Sequence, residues 1–350
     1  MQIKKHVTIR DVAHAAGVST QTVSRVINNR ADVSAETRQR IHAIIADLGY
    51  LPNILARSLI QGRSDILGVV AYGLSYYGPS RVLTGIEHRA NELGYSVMLS
   101  LLHDPETNDG KEIFDSLRSR QVEGILWAVP EIGANRAWVE ALPRPLACPV
   151  VFINMEPDEN AIITAIDNRE GGRLATEHLL SQGYRNIGII TGPGSWWEAQ
   201  QREQGWRDAM QTSPSCNLET LKVAGDWYPS SGASGLEELL RRCPSLDAVF
   251  ACNDPMAAGA LQAARRLGRR VPQDLAIVGF DDTPEAAYYE PPLTTIRQPL
   301  AELGARAVDQ LVQSSGVNFE NDPGAIQHYQ WMHPQLVVRE SSSRLNSTIR

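Results

Sequence analysis

Residues 8–28 read TIRDVAHAAGVSTQTVSRVIN, and the organisation of the 350-residue chain turns on them. The stretch spells two short helices joined by a tight turn. Thr8 can cap the first helix, and Asp11 three residues later completes a reciprocal capping pattern. Ile9, Val12, Ala13 and Ala16 then share one helical face. Gly17 stands where the chain must turn and where a left-handed residue costs nothing. Ser19 suits the cap of the second helix, whose inner face carries Val23, Val26 and Ile27. The outer face offers Thr20, Gln21, Ser24, Arg25 and Asn28, short polar groups ending in a cation. Such a helix fits the major groove, where Gln matches adenine and Arg matches guanine, while the first helix lies across the backbone. The alternative is a helical hairpin packed against the rest of the protein with a polar outer face.

Working outward, a polar turn leads to Ser34, which can cap a third helix over about 35–48 with Ile41, Ile44, Ile45 and Leu48 as its buried stripe and Gly49 as its end. Three such helices close a small core of about fifty residues. Pro52 then breaks the chain and Asn53 can cap a further helix of about two turns with Leu55, Ala56, Leu59 and Ile60 in register. So short a helix does not hold together alone in water and needs a partner or a bound surface. Residues 61–65 read as linker.

Charge follows the same division. The protein has a net charge of −7, yet residues 1–65 hold nine Lys or Arg against five acids, a net of +4 that leaves −11 for the remainder. A basic head on an acidic body is expected if only the head meets phosphate. Cys148, Cys216, Cys243 and Cys252 show no metal-binding spacing and are expected to be reduced structural thiols. Met1–His6 has no apolar run behind Lys4 and Lys5, and no stretch is long and apolar enough to span a bilayer. A cytoplasmic protein without signal peptide or membrane contact is therefore expected.

From Ile66 the pattern alternates. Apolar runs at 66–71, 96–102, 124–129, 149–153, 187–190, 248–251 and 276–280 are separated by amphipathic stretches near 80–93, 111–120, 169–182, 199–210, 234–241, 255–267 and 300–314. Continuous apolar strands alternating with helices imply parallel sheets covered on both faces, and about 280 residues suit two lobes. Binding sites in such folds lie beyond the carboxyl ends of the strands. Those positions hold Tyr72, Tyr76, Tyr77, Trp127, Asn154, Trp196, Trp197, Arg202, Trp227, Tyr228, Asn253, Asp254, Asp281, Asp282 and the stretch to Gln298, with Asp254 also suited to capping the helix behind it. Planar carboxylate, amide and guanidinium groups can take adjacent hydroxyls in pairs, and aromatic rings can stack on the apolar face of a pyranose. A sugar-binding cleft is the reading these residues support together. Enzyme chemistry is not indicated: there is no G-x-S-x-G, H-E-x-x-H or phosphate-binding loop, and His103 and His178 lack evident partners.

The motifs Thr8-Ile-x-Asp-Val-Ala-x-x-Ala-Gly-Val-Ser-x-x-Thr-Val-Ser-Arg-Val-x-Asn28, Val33-Ser-x-x-Thr-Arg38, Leu48-Gly-Tyr-x-Pro-Asn53, Asn253-Asp-x-Met-Ala257, Val278-Gly-Phe-Asp-Asp282 and Pro292-Leu-Thr-Thr-Ile296 resemble those of the lactose-repressor (LacI/GalR) family. The likeness covers essentially the whole chain. Tyr76-Tyr-Gly-Pro-Ser80, Gly225-Asp-Trp227 and Tyr289-Glu-Pro-Pro-Leu-Thr-Thr295 are similar to the lactose-repressor branch of it. The resemblance implies an all-α helix-turn-helix headpiece (1–50), a hinge helix and linker (51–65), and an α/β core of two-lobed periplasmic-binding-protein type (66–340). Its N-lobe is expected at about 66–166 and 297–324, its C-lobe at about 167–296 and 325–340, with a tail over 341–350. It implies a homodimer on a pseudo-palindromic operator in double-stranded DNA. The head and hinge residues expected to contact DNA are Thr8, Ser19, Thr20, Gln21, Thr22, Ser24, Arg25, Asn28, Ser34, Asn53, Leu55, Ala56 and Leu59, with Leu59 wedged in the minor groove. Tyr76, Asn154, Trp197, Arg202, Trp227, Asn253, Asp281 and Gln298 are expected to contact the effector.

Departures from that branch bear on the ligand. It has an aspartate where this chain has Asn154, an asparagine where this chain has Ala128, and small residues in place of Trp196 and Trp197, so a different and more stacked sugar is expected. No leucine heptads follow the core, so a tetramer is not expected. The implied function is repression of carbohydrate-utilisation genes, relieved by a sugar, with no cofactor, metal or catalysis. The alternatives are a regulator responding to a purine or nucleoside and a sugar-binding transport protein.

Overall fold

The computed structural model describes residues 7–28, 30–51, 63–104, 110–133, 135–140, 148–211, 217–315 and 328–344. The chain divides between Ser64 and Asp65 into two compact units.

The first unit holds helices α1 (Ile9–Ala16), α2 (Thr20–Ile27) and α3 (Ala35–Leu48). Both the amide and the hydroxyl of Thr8 donate to Asp11 Oδ2 at 2.7 Å. Ser19 Oγ accepts from the Thr22 amide at 3.1 Å, and Ser34 Oγ from that of Thr37 at 3.3 Å. Gly17 turns the chain at φ 64° and Gly49 closes α3 at φ 61°. Val12, Ala13, Ala16, Val23, Val26, Ile41 and Tyr50 form the core. Of the stripe expected on α3, Ile41 is fully buried, while Ile44, Ile45 and Leu48 are partly covered. The expected hinge helix, with Asn53, Leu55, Ala56 and Leu59, lies outside the described residues.

The second unit alternates strand and helix: β1 (Ile66–Ala71), α4 (Tyr77–Glu92), β2 (Ser96–Leu101), α5 (Gly110–Ser119), β3 (Gly124–Ala128), α6 (Asn135–Glu140), β4 (Val150–Ile153), β5 (Ile162–Ile166), α7 (Asn168–Ser181), β6 (Ile187–Thr191), α8 (Trp197–Met210), β7 (Lys222–Ala224), α9 (Pro229–Arg242), β8 (Ala248–Ala251), α10 (Asp254–Arg266), β9 (Ala276–Val278), β10 (Thr295–Arg297), α11 (Leu300–Ser315), β11 (Tyr329–Met332) and β12 (Gln335–Val337). Six parallel strands in the order β11-β5-β4-β3-β1-β2 form the N-lobe sheet, and four in the order β7-β6-β8-β9 form the C-lobe sheet. Side chains alternate across the N-lobe sheet as strands require. Leu67, Val69 and Leu126 join the helices α4 and α11 on one face, whereas Val70, Ile125 and Trp127 meet Phe114 and Leu117 of α5 on the other. Both faces are thus covered, as apolar parallel strands demand.

Two expected boundaries and one expected helix cap need correction. The chain does not return to the C-lobe at about 325: Tyr329–Met332 pairs with Ile163–Ile166 and completes the N-lobe sheet, and the crossing follows at His333 and Pro334. The expected tail from 341 begins too early, because Ser341 and Ser342 are fully buried. Ser341 donates to the Ile277 carbonyl and accepts from the Thr294 amide, while Ser342 bonds His178 Nε2 at 2.7 Å. A chain of small hydroxyl residues reads as tail in sequence, yet here it satisfies buried backbone groups that strands β9 and β10 leave open. Asn253, not Asp254, caps α10, its Oδ1 accepting from the Met256 amide at 2.8 Å. Asp254 is itself buried and accepts from the Thr283 amide and the Thr295 hydroxyl.

Candidate functional site

The outer face of α2 presents Ser19, Thr20, Gln21 and Arg25 to solvent, and Thr8 and Ser34 are exposed on flanking turns. Thr22, Ser24 and Asn28 are half-buried. The Asn28 amide is bound to the Ser24 carbonyl at 2.9 Å and Thr22 Oγ1 to Ser19 Oγ at 3.0 Å, so these side chains shape the helix ends. Arg25 makes an open ion pair with Asp32 at 3.3 Å. Such surface pairs contribute little, so the guanidinium can exchange Asp32 for a base edge or phosphate at small cost.

In the core, the carboxyl ends of the strands meet around a cleft of about 960 Å³, counting its open mouth. Tyr76, Asn154, Arg202, Trp227, Asn253, Asp281 and Gln298 all line it, as do Tyr77, Ala128, Trp196, Glu198 and Tyr228. Arg202 is held from several sides. Its Nε donates to Asn168 Oδ1 at 2.8 Å and its Nη1 to the Cys252 carbonyl, its plane lies 3.8 Å over the Phe280 ring, and Asp281 is 3.9 Å away. Helix α8 brings Arg202 there because it packs on α7 through glycines: a Cβ on Gly172 would lie 2.2 Å from the Arg202 carbonyl oxygen, and one on Gly205 would lie 2.0 Å from that of Arg169. Gln298 Nε2 donates to Asp281 Oδ1 at 2.6 Å, and Asn253 Nδ2 to the Trp227 carbonyl at 2.9 Å. Asn154 accepts the Ile166 amide at 3.0 Å through Oδ1. Asn154, Trp227 and Asp281 adopt positive φ of 55°, 73° and 115°, backbone strain of the kind that collects at functional sites.

The aromatic wall is continuous. Trp196 meets Trp227 edge-on at 5.7 Å and Tyr76 edge-on at 5.7 Å, and Tyr76 lies 5.8 Å from Tyr228. The indole of Trp227 sits where a side chain at Gly192 would otherwise be. The lobes also touch through backbone: the Trp197 amide donates to the Glu131 carbonyl and the Gly133 amide to the Ser195 carbonyl, both at 3.0 Å. Side chains cross there too. Ile132 from the N-lobe loop enters the C-lobe cluster, and Trp197 from α8 enters the N-lobe cluster, where it stacks on Trp331 at 6.4 Å.

Electrostatically the cleft is short of cations. Its charged lining residues are Glu198, Asp281 and Arg202. Burial pushes the Asp281 carboxyl up to about 6, against the pull of Arg202 and the Gln298 hydrogen bond. Burial also raises Glu198 to about 7, with Arg202 and Asn154 opposing. Asp254, behind the cleft, rises to about 8 through burial and the nearby Asp281. Glu198 Oε2 and Trp227 Nε1, an acceptor and a donor, are buried with no hydrogen-bond partner. Among the described residues no group of three His, Cys, Asp or Glu side chains is placed to hold a metal ion, and no helix is long and apolar enough to cross a membrane.

Two sequence expectations are displaced. Trp197 does not line the cleft; its neighbour Trp196 does, because the loop before α8 turns successive indoles to opposite lobes. Trp127 is buried among Val70, Phe114 and Ile125, since its position in β3 points away from the cleft face. Tyr228, read from sequence as lying just beyond a strand, lines the cleft as expected, whereas Glu198 was missed. Glu198 lies four residues before Arg202 on one helix, a spacing that places both on the same face and could have flagged it.

A helix-turn-helix unit together with a two-lobed core holding a cleft at its strand ends defines a ligand-responsive DNA-binding regulator. Residues 8–53 match the model of bacterial regulatory proteins of the lacI family, and residues 176–342 that of the periplasmic binding protein-like domain. The chain is 36% identical to the lactose operon repressor of Escherichia coli over 89% of its own length and 85% of that protein. It is 35% identical to the transcriptional repressor PurR of Edwardsiella ictaluri, over 95% of this chain and 96% of that one. The crystal structure of the lac repressor dimer bound to operator and the anti-inducer ONPF superposes with a TM-score of 0.85 at 33% identity, covering 97% of this chain and 100% of that one. The protein belongs to the lacI family of bacterial regulatory proteins, and these relatives are transcriptional repressors rather than enzymes.

Proposed function

We propose that this protein is a cytoplasmic, homodimeric repressor of carbohydrate-utilisation genes that leaves its operator when a sugar fills the cleft. The observation that supports the sugar is the lining: carboxylate, amide and guanidinium groups set around a wall of Trp196, Trp227, Tyr76 and Tyr228. Hydroxyl pairs suit the former and a pyranose face suits the latter. A purine would also stack on such a wall, but it offers few donors for two carboxylates.

Thr20, Gln21 and Arg25 read base edges in this account, while Thr8, Ser19 and Ser34 meet phosphates. Asn154 and Tyr76 reach the ligand from the N-lobe, and Arg202, Trp227, Asn253, Asp281 and Gln298 from the C-lobe side. A ligand bridging both favours one arrangement of the lobes, and it shifts DNA affinity only by its preference for that arrangement. A coupling of about 1–3 kcal/mol changes operator affinity roughly 5–150-fold. The test is a thermal-shift screen of the full chain against mono- and disaccharides and against adenine and guanine. Stabilisation by a neutral sugar supports the reading; stabilisation by the purines alone replaces it with the nucleobase alternative.

A further inference from the structure

The cleft contains a buried carboxyl one of whose oxygens no protein group satisfies. Glu198 opens the first turn of α8, lines the cleft and is 8% exposed, and its Oε2 has no hydrogen-bond partner. The groups facing it are Arg202 one turn on, Asn154 from the end of β4, and the like-charged Asp281 from beyond β9. Arg202 is already engaged by Asn168, the Cys252 carbonyl and Asp281, and Asn154, whose oxygen accepts from the Ile166 amide, hydrogen-bonds the Glu198 carboxyl yet leaves Oε2 open. Leaving a buried acceptor unbonded is costly, so the partner of Oε2 is expected to arrive from outside the chain.

Resting on the sugar reading above, we infer that Glu198 is a specificity-determining residue that accepts a hydroxyl of a neutral sugar and, together with Asp281, rejects phosphorylated and acidic sugars. A hydroxyl is the donor that satisfies Oε2 without adding charge. A phosphate or carboxylate in the same place puts a further anion beside two carboxylates with one guanidinium to offset them, in surroundings that screen poorly. Burial raises the Glu198 carboxyl to about 7, against the opposing influence of Arg202 and Asn154.

The experiment is calorimetric titration of the full chain with matched pairs: methyl β-glucoside and methyl β-glucuronide, cellobiose and cellobionate, ribose and ribose 5-phosphate. Wild type is expected to bind the neutral member of its preferred pair at least about tenfold more tightly. Glu198→Gln, nearly isosteric, is expected to lose about tenfold for the neutral sugar and to narrow the preference to a few-fold, while its melting temperature without ligand stays at or above that of wild type. Unchanged neutral-sugar affinity in Glu198→Gln, or equal binding of both members by wild type, overturns the assignment alone. If no member of any pair binds, the sugar reading itself falls and this assignment with it.

Discussion

Replacing Arg202 by alanine exposes how the cleft is held together. The guanidinium is buried, donates to Asn168 at 2.8 Å and to the Cys252 carbonyl, lies 3.8 Å over Phe280, and is the cation nearest Asp281 at 3.9 Å. Removing one partner of a buried ion pair costs about 3–5 kcal/mol, because the other charge is left uncompensated. That cost depends on pH in a stated direction. The Asp281 carboxyl already stands at about 6 with Arg202 present, above its unfolded value near 3.8, and loses a lowering influence when Arg202 goes. Its folded pKa then rises further, so the folded variant retains a proton at pH 6 and must surrender it at a penalty by pH 8. Each unit of further shift is about 1.4 kcal/mol. Arg202→Ala is therefore expected to lose less stability at pH 6 than at pH 8, by about 1–2 kcal/mol, and to stay on its operator when sugar is added. Urea unfolding of the full chain at both pH values, followed by tryptophan fluorescence, reads the first expectation. A loss below about 1 kcal/mol, or an equal loss at both pH values, refutes the reasoning.

Three further outcomes follow from the same geometry. Trp197→Ala removes a side chain that α8 lends to the N-lobe cluster; it is expected to destabilise the core by about 3–5 kcal/mol and to weaken sugar binding, and a melt within 1 kcal/mol of wild type contradicts the inter-lobe contact. Gly172→Ala drives a methyl against the Arg202 carbonyl and is expected to cost about 1–3 kcal/mol with reduced sugar affinity, whereas Gly194→Ala, with open space around it, leaves both unchanged. The unliganded wild type is expected to melt lower at pH 8 than at pH 5, since Glu198 and Asp281 are raised to about 7 and about 6 and the folded state holds more protons than the unfolded one across that window. Glu198→Gln removes about 3 kcal/mol of that dependence at most; scanning calorimetry that finds no pH slope in wild type opposes the buried-carboxyl account.

Much of this architecture was legible because local signals repeated themselves. Caps at Thr8, Ser19 and Ser34 and turns at Gly17 and Gly49 mark the head, and apolar strands mark the lobes. Residues just beyond strand ends led to Asn154, Asn253 and Asp281, since such sites sit at the carboxyl edges. What was hidden depends on contacts far apart in sequence. Nothing near Ser341 and Ser342 signals that they fill gaps beside Thr294 and His178. Nothing in Trp196-Trp197 says which indole faces the ligand, because a loop rather than a regular period sets their directions. The amide at Asn154 suggested a lost charged acceptor; the fold brings Glu198 against it from the facing helix.

The most direct test of the whole account is the affinity of the full chain for its selected operator, by fluorescence anisotropy, without and with a saturating concentration of the sugar that gives the largest thermal shift. The account predicts operator affinity lowered roughly 5–150-fold by the sugar. Equal affinity in both conditions, with the sugar demonstrably bound, contradicts it.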